Sequence, residues 1–323
     1  MSAAIPASVL RTPRPARTSR GIQLALKIDV DTYRGTRDGV PRLVEALKRH
    51  EAGATFLFSL GRDHTGRAIK RVFRRGFMSK VSRTSVLSHY GLVTLLYGTL
   101  LPGPDIGKRC ADILRGVRDA GFEVGIHCWD HVKWQDGVGQ ADPEWTERQM
   151  RLAAERFEEI FGEPARVHGA AGWQMNLHAY RLLQRLGFAY ASDTRGGGPF
   201  IPVRNAEIFA CPQIPTTLPT LDELIGVDGI TPENVADRVL AESADPPETG
   251  HVFTLHAELE GMKLLPVFEK LLAGWNAMGY ELVSMGELVA SLDARRLPHH
   301  CVGWSEVPGR SGTLAVQAQP FLA

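Results

Sequence analysis

The sequence predicts a single α/β domain, built either as a barrel or as a doubly wound sheet. Short apolar runs rich in β-branched and aromatic residues alternate with longer amphipathic stretches from residue 21 onward, and this alternation is typical of consecutive βα units. The chain has 323 residues, enough for a large core, and its 44% hydrophobic and 23% charged residues lie near globular averages. No shift of composition marks a second domain, so we expect all the strands to belong to one fold.

The predicted strands and helices follow each other along the chain at regular intervals. Strands are expected at residues 22–30, 55–60, 122–127, 166–169, 188–192, 208–214, 251–257 and 280–283. Helices are expected at residues 40–50, 106–120, 144–161, 177–186, 232–242, 264–278 and 286–292. In folds of this class, ligands bind at the carboxyl ends of the strands, so functional residues are sought there.

Several predicted helices have recognisable ends. Thr231 followed by Pro232 predicts an N-cap with proline at the first helical position. Ser284 with Glu287 predicts a capping box, and Gly162 stands where a helix C-cap is expected.

Charge, cysteine content and apolar run length exclude several classes of protein. The 37 basic and 36 acidic residues give a net charge of +1, which argues against a nucleic-acid-binding protein. Four separated cysteines without a C-x-x-C pair indicate a reduced compartment. The most apolar run, residues 92–101, is about half the roughly 20 residues of a membrane-spanning helix. Residues 1–20 contain four arginines and no acidic residue and lack the apolar core of a secretory signal, so they are predicted to be a flexible basic arm.

Residues 64–104 interrupt the βα pattern with a basic amphipathic segment. The segment contains seven lysines and arginines and no acidic residue, with apolar residues at helical spacing opposite the charges. Such a segment is typical of an interfacial membrane anchor. The more common alternative is a helix pair that packs on the core and keeps a solvated basic face. The residues predicted to contact the membrane are Arg67, Lys70, Arg71, Phe73, Arg74, Arg75 and Phe77.

Two motifs at predicted strand ends form a candidate metal site. Asp29 and Asp31 lie two residues apart and therefore share one face of a strand, where the two carboxylates repel unless a cation lies between them. His127 and His131 are spaced by four residues, so one helical turn can direct both at one metal ion. One carboxylate with two histidines forms a three-ligand set that leaves positions open for water and substrate.

Two further strand ends carry candidate catalytic groups. His256 ends the strand at 251–257 and is a candidate general acid, although a buried structural histidine is the commoner case. Asp193 and Arg195 follow the strand at 188–192. Asp193 is a candidate for orienting a neighbouring group, and Arg195 is a candidate for binding an anion. An ordinary turn with a local ion pair is an equally good interpretation of these two residues.

These strand ends together resemble the polysaccharide deacetylase family, also called the NodB-homology family or carbohydrate esterase family 4. The resemblance extends from about residue 21 to about residue 292 and is most specific to the branch that deformylates lipid-linked formamido-arabinose. It implies a catalytic domain at 21–292 containing the 64–104 insert, with a C-terminal extension at 293–323. Six segments carry it in order: KIDVDTYRGTR (27–37), HCWDH (127–131), AAGW (170–173), SDTRG (192–196), QIPTTLP (213–219) and TLHAE (254–258).

The resemblance implies a distorted (β/α) barrel and a role for each matching residue. Asp31, His127 and His131 would hold one divalent metal ion, zinc, cobalt or manganese. Asp29 would act as general base, His256 as general acid and Asp193 as the residue that orients the base. The family's Arg-Pro-Pro stretch is replaced here by residues 170–173, so the arginine that usually braces the base is missing. Substrate binding would fall to Arg34, Arg37, Trp173 and Arg195, with the arginines contacting the phosphodiester of the lipid carrier.

The substrate that the resemblance implies is undecaprenyl-phosphate-linked formamido-arabinose, from which the formyl group is removed in lipid A modification and polymyxin resistance. We expect peripheral contact with the cytoplasmic face of the bacterial inner membrane. We do not expect a nucleic-acid partner. The principal alternative is a general polysaccharide or peptidoglycan N-deacetylase. A non-haem iron oxygenase with the same three ligands is disfavoured by the βα alternation, and a catalytically inactive membrane scaffold is disfavoured by the complete set of candidate residues.

Overall fold

A computed structural model of the chain describes residues 21–68 and 93–322. The strands are β1 (Gln23–Val30), β2 (Thr55–Ser59), β3 (Glu123–Cys128), β4 (Val167–His168), β5 (Tyr190–Ala191), β6 (Ile201–Arg204), β7 (Glu207–Ile208), β8 (His251–His256), β9 (Glu281–Val283), β10 (His299–Glu306) and β11 (Thr313–Pro320). The α-helices are α1 (Val40–Arg49), α2 (Ile106–Arg109), α3 (Ala111–Asp119), α4 (His131–Gly137), α5 (Pro143–Phe161), α6 (Leu177–Arg185), α7 (Leu221–Leu224), α8 (Val235–Glu242), α9 (Leu265–Ala277) and α10 (Met285–Ala290). None of the described helices combines the length and apolarity that a membrane span requires.

The main sheet is parallel, with seven strands in the order β5-β4-β3-β2-β1-β8 and β9 paired to the start of β1. Strand β1 lies between β2 and β8, and its side chains alternate between two apolar layers. Leu24, Leu26 and Ile28 face the large core under the helices. Ala25 belongs to a second cluster on the inner face, with Leu57, Val167, Tyr190, Ile214, Val252 and Val283 among its members. The curled parallel sheet with its layer of helices confirms the predicted distorted α/β barrel.

The C-terminal residues join a second, smaller sheet in the order β11-β10-β6-β7. Strands β10 and β11 form an antiparallel hairpin, and β10 pairs with β6 in parallel. Residues 293–320, predicted only as an extension, therefore pair with β6, which lies within residues 21–292. Neither β6 nor this hairpin is predicted from the sequence.

Several element boundaries differ from the prediction for local reasons. The helix expected at 106–120 is divided at Cys110, which has a non-helical conformation between α2 and α3. The helix expected from Pro232 begins at Val235, because Thr231 and Asn234 form a turn before it. The strand expected at 208–214 is reduced to β7 and isolated bridges at Gln213.

Other boundaries match the sequence signals closely. Gly162 ends α5 in the left-handed conformation, with φ of 74°. Ser284 and Glu287 form the expected capping box at α10.

Candidate active site and metal centre

Strand β1 and the residue that follows it supply both candidate carboxylates. Asp29 lies near the end of β1, and Asp31 follows directly after the strand; both are buried. The parallel strands β3 and β8 end at the same edge of the sheet, with His127 the last but one residue of β3 and His256 the last residue of β8. The register pairs Asp29 with His256 across the β1–β8 ladder, so the candidate base and the candidate acid occupy adjacent strands.

Asp31, His127 and His131 converge on one point, as the sequence predicts. Nε2 of His127 lies 3.2 Å from Oδ1 of Asp31, and Nε2 of His131 lies 3.4 Å from Oδ2. The three ligand atoms are within 4.8 Å of one another. His131 opens α4, whose N-cap is Asp130, so the strand-to-helix turn after β3 brings the second histidine back over the first.

The donor set fits a divalent metal ion. Oδ1 of Asp31 is buried without a hydrogen-bond partner in the described part of the chain. Nδ1 of His127 donates to the carbonyl oxygen of Gly169 at 2.6 Å, which fixes the tautomer and leaves Nε2 with its lone pair toward Asp31. One oxygen and two imidazole nitrogens are ligands that zinc and similar transition metals accept.

The electrostatics of the cluster favour an ionised Asp31. Burial alone would raise the pKa of this carboxyl group, but the nearby charges of His131 and His127 outweigh burial, so the pKa is lowered. The charge of His256 also lowers the pKa of Asp31, so His256 is close enough to interact electrostatically with this carboxylate.

Asp29 contacts one cation that the sequence analysis did not assign. Its Oδ2 lies 3.2 Å from Nζ of Lys27, and Lys27 is fully buried. Its Oδ1 lies 3.7 Å from Nδ1 of His127 and has no hydrogen-bond partner among the described residues. The signal was available in the sequence, because a lysine two residues before Asp29 in an otherwise apolar strand shares its face.

His256 and two glutamates form the opposite side of the site. His256 is half-buried, and its Nδ1 has no hydrogen-bond partner in the described residues. Its backbone N–H donates to Oε2 of Glu260 at 2.8 Å. Burial raises the pKa of Glu260 to about 7, against the opposing charge of His256. Burial, together with the charge of Asp31, raises the pKa of Glu258 well above its ordinary value.

The structure corrects the expectation that Asp193 orients Asp29. Oδ1 of Asp193 is 2.8 Å from Nδ1 of His168 and accepts a hydrogen bond from the backbone N–H of Ala170 at 2.8 Å. Its Oδ2 accepts from Nε2 of Gln213 at 3.0 Å. Asp193 therefore holds the loop after β4, and Lys27 occupies the position beside Asp29.

Arg195 and Trp173, both predicted to bind substrate, contact other residues inside the protein. Nη1 of Arg195 lies 2.6 Å from Oε1 of Glu223, a buried carboxylate that also pairs with Arg310. The ring of Trp173 is buried, and the cationic groups of Lys27, Arg195 and Arg310 lie 5.1, 5.2 and 4.8 Å from its centroid. The guanidinium of Arg195 is thus engaged inside the protein.

Arg34 and Arg37 lie in the turn after Asp31 and are more accessible. The side chains are 32% and 54% exposed, and both arginines lie near Asp38, with the Nε atom of Arg37 at 2.6 Å. Arg67, at the start of the insert, is exposed and donates to the carbonyl oxygen of Gly98. The remaining predicted membrane contacts, Lys70, Arg71, Phe73, Arg74, Arg75 and Phe77, lie outside the described residues, as does the basic arm at 1–20.

Comparison with known proteins agrees with this geometry. The polysaccharide deacetylase family matches residues 18–191, more than half of the chain. The chain belongs to the polysaccharide deacetylase family. The family match covers β1 to β5 and therefore Asp29, Asp31, His127 and His131.

Two curated relatives are similar over nearly the whole chain. A protein of Shewanella sediminis named as the 4-deoxy-4-formamido-L-arabinose-phosphoundecaprenol deformylase ArnD is 39% identical over 303 residues, covering 92% of this chain and 95% of the relative. A protein of Wigglesworthia glossinidia brevipalpis with the same name is 30% identical over 284 residues, covering 88% of this chain and 98% of the relative.

Solved structures of other polysaccharide deacetylases share the fold. A structure from Mycobacterium smegmatis titled as a polysaccharide deacetylase superposes with a TM-score of 0.61 at 17% identity, covering 92% of this chain and all of that one. A carbohydrate esterase family 4 pseudoenzyme from Bacillus anthracis gives a TM-score of 0.50 at 15% identity, covering 87% and 69% of the two chains.

Proposed function

We propose that this polysaccharide deacetylase family member is a metal-dependent deformylase that hydrolyses the formamide of 4-deoxy-4-formamido-L-arabinose-phosphoundecaprenol. The observation that carries the proposal is the 39% identity, over 92% of the chain, to a relative named for that reaction. The convergence of Asp31, His127 and His131 beside Asp29 and His256 supplies the groups that amide hydrolysis needs. The product is a 4-amino sugar used in lipid A modification and polymyxin resistance.

Each side chain of the site is assigned one role in the reaction. Asp31, His127 and His131 would hold one divalent ion, which when bound lowers the pKa of a water ligand to about 7 and polarises the formyl oxygen. Asp29 accepts the proton of the attacking water on Oδ1, the oxygen without a hydrogen-bond partner among the described residues. The water oxygen adds to the formyl carbon, and His256 protonates the sugar nitrogen as the C–N bond breaks. Formate and the free amine are the products.

Zinc, cobalt and manganese are the candidate metals. The two imidazole ligands favour zinc and cobalt, whereas the single carboxylate is acceptable to all three. Metal analysis of protein purified without added metal, followed by reconstitution of the stripped protein with each ion, distinguishes them. The ion that restores formate release at stoichiometric occupancy is the one assigned.

The lipid carrier would be recognised outside the metal centre. Arg34 and Arg37 are close to Asp31 in sequence and have exposed guanidinium groups suited to a phosphodiester. If they bind it, Arg34→Ala and Arg37→Ala raise the KM for lipid-linked substrate, whereas Arg151→Ala, which removes an arginine of α5 that is as exposed as Arg37, does not. An unchanged KM in both variants would assign the phosphate to other groups.

Peripheral contact with the cytoplasmic face of the inner membrane is part of the same proposal. The basic sequence at 64–104 supports it, as does the described flank of the insert, where Val93 and Leu100 are 56% and 80% exposed. Co-sedimentation with vesicles containing anionic phospholipid tests it, with neutral vesicles as control. The double variant Arg74→Glu/Arg75→Glu is expected to lose vesicle binding.

Formate release is the direct test of the function. Wild-type protein is assayed on N-formyl-4-aminoarabinose phospho-polyprenol with and without added divalent metal, beside an N-acetyl chito-oligosaccharide. Metal-dependent formate release and no acetate support the deformylase. Acetate from the oligosaccharide without formate from the lipid would assign the chain to the general N-deacetylases instead.

A further inference from the structure

Lys27 is an unusual residue for the position it occupies. It lies within β1, between β2 and β8 of the main sheet, where it is paired in register with Thr55 and Thr254. Its side chain is fully buried, and a buried ammonium group is unfavourable unless a counter-charge compensates it. The described residues provide one ion-pair partner within 4.0 Å, Asp29, at 3.2 Å from Nζ to Oδ2. We infer that Lys27 is the positioning residue that fixes the orientation of the Asp29 carboxylate.

Asp29 has little else to orient it. Nδ1 of the His127 ring lies 3.7 Å from Oδ1, and Oδ1 makes no hydrogen bond within the described chain. With Oδ2 3.2 Å from the Lys27 ammonium group, Oδ1 is the carboxylate oxygen that lies toward His127. The ion pair therefore decides which carboxylate oxygen faces the site and is available to take a proton.

The position of the ammonium group is itself fixed by packing. The ring of Trp173 lies 5.1 Å from Nζ, within the range of a cation–π contact. Trp173 has a φ of 51° and follows Gly172 with a φ of 61°, a conformation that is costly for a tryptophan and persists only where the surroundings enforce it. Gly169 leaves room for the lysine, since a Cβ atom there would lie 3.0 Å from Cε of Lys27.

A hydrogen-bonded chain connects the same ring to the strand that neighbours Lys27. Nε1 of Trp173 donates to Oγ1 of Thr216 at 3.3 Å, and that hydroxyl is 2.7 Å from Oγ1 of Thr254. Thr254 lies on β8 and is the register partner of Lys27 on β1. The ring of Trp173 is therefore linked by hydrogen bonds to the strand adjacent to that of Lys27. The ring that lies over the ammonium group of Lys27 is therefore itself fixed in position.

A positioning role predicts an effect on kcat rather than on substrate or metal binding. Lys27→Met removes the charge at nearly constant volume and is expected to lower kcat about 100-fold, with KM and metal stoichiometry unchanged. Lys27→Arg restores a cation and is expected to recover at least about a tenth of the wild-type kcat. Lys48→Met, on the exposed side of α1, controls for the loss of a lysine as such.

A double-mutant cycle separates this role from an independent one. If Lys27 acts through Asp29, adding Lys27→Met to Asp29→Asn causes no further loss of kcat. The inference is overturned if the second substitution lowers kcat by the same factor in both backgrounds, if Lys27→Met leaves kcat at the wild-type level, or if its loss appears in metal binding.

The kinetic arm rests on the proposed function, so a second readout does not use substrate. Crystal structures of wild type and Lys27→Met are compared at the Asp29 carboxylate. A rotated or disordered carboxylate in a folded variant supports the positioning role even if wild type proves inactive on formamido sugars, an outcome that would count against the deformylase alone. An unmoved and equally ordered carboxylate would contradict the role of Lys27.

Discussion

Oε1 of Glu258 accepts a hydrogen bond from the backbone N–H of Asp31 at 3.0 Å, joining residues 227 positions apart in the sequence. The same oxygen accepts from the backbone N–H of Thr32 at 2.7 Å and from its hydroxyl at 2.8 Å. Glu258 follows β8 and Asp31 follows β1, so this one carboxylate fastens the two chain segments that flank the metal centre. The backbone that presents Asp31 is thus set by a residue that no local sequence motif places beside it.

Gly35→Ala is expected to disturb this arrangement. A Cβ atom at Gly35 would lie 2.0 Å from Oε1 of Glu258, so the glutamate must move and release the amide of Asp31. We expect metal affinity to fall about 10-fold to 100-fold, as for other losses of groups that orient metal ligands. Competition titration with a chelator measures it. Gly116→Ala, in α3 with no atom near its Cβ position, is the control and should leave affinity at the wild-type level.

Removal of either histidine should abolish stoichiometric metal binding. His127→Ala and His131→Ala each take away one of three protein ligands. Asp29→Asn, by contrast, should retain the metal and lose turnover, because Asp29 is assigned to proton transfer. Elemental analysis of the dialysed proteins measures occupancy, with His299→Ala, an exposed histidine on β10, as the control. Full occupancy in His127→Ala would refute the ligand assignment.

Arg310→Ala tests the contribution of the C-terminal hairpin. Nε of Arg310 lies 2.7 Å from Oε1 of Glu223, and Nη1 lies 2.9 Å from Oδ2 of Asp222. Without Arg310, the buried Glu223 keeps Arg195 as its ion-pair partner among the described residues, and we expect the free energy of unfolding to fall by about 2 kcal/mol. Urea denaturation measures the change. Arg295→Ala removes an arginine that is 90% exposed and should cost roughly 0.5 kcal/mol or less.

The stability contributed by Glu260 should depend on pH. Burial raises the pKa of its carboxyl group from the ordinary 4.5 to about 7, so the folded state binds more protons than the unfolded state between these values. Wild-type stability should therefore fall as pH rises through this window, by about 3 kcal/mol at most. The Glu260→Gln variant should not show this contribution to the pH dependence of stability, because glutamine does not titrate.

The measurement is the free energy of unfolding of wild type and Glu260→Gln from about pH 5 to about pH 8. The wild type should lose stability relative to the variant as pH rises. Glu158→Gln, at an exposed position on α5, provides the comparison for a substitution without burial. A constant difference between wild type and Glu260→Gln across the range would show that Glu260 does not titrate as inferred.

The sequence by itself predicted the α/β class, most element positions and the convergence of Asp31, His127 and His131. Such predictions succeed because they rest on local physics: alternation assigns the faces of β1, a four-residue spacing brings two histidines together, and parallel strands end at one edge. Capping signals at Ser284 and Gly162 were equally local and equally reliable.

The partners of the buried charges were decided by tertiary structure alone. The sequence motif suggested Asp193 beside Asp29, but Asp193 holds the loop after β4 and Lys27 takes its place. Arg195 was expected to face substrate, yet Glu223 and the ring of Trp173 engage it inside the protein. A buried charge is stabilised by whichever opposite charge the packed chain brings within a few ångströms, and that distance is set by the whole fold rather than by the spacing of residues in the sequence.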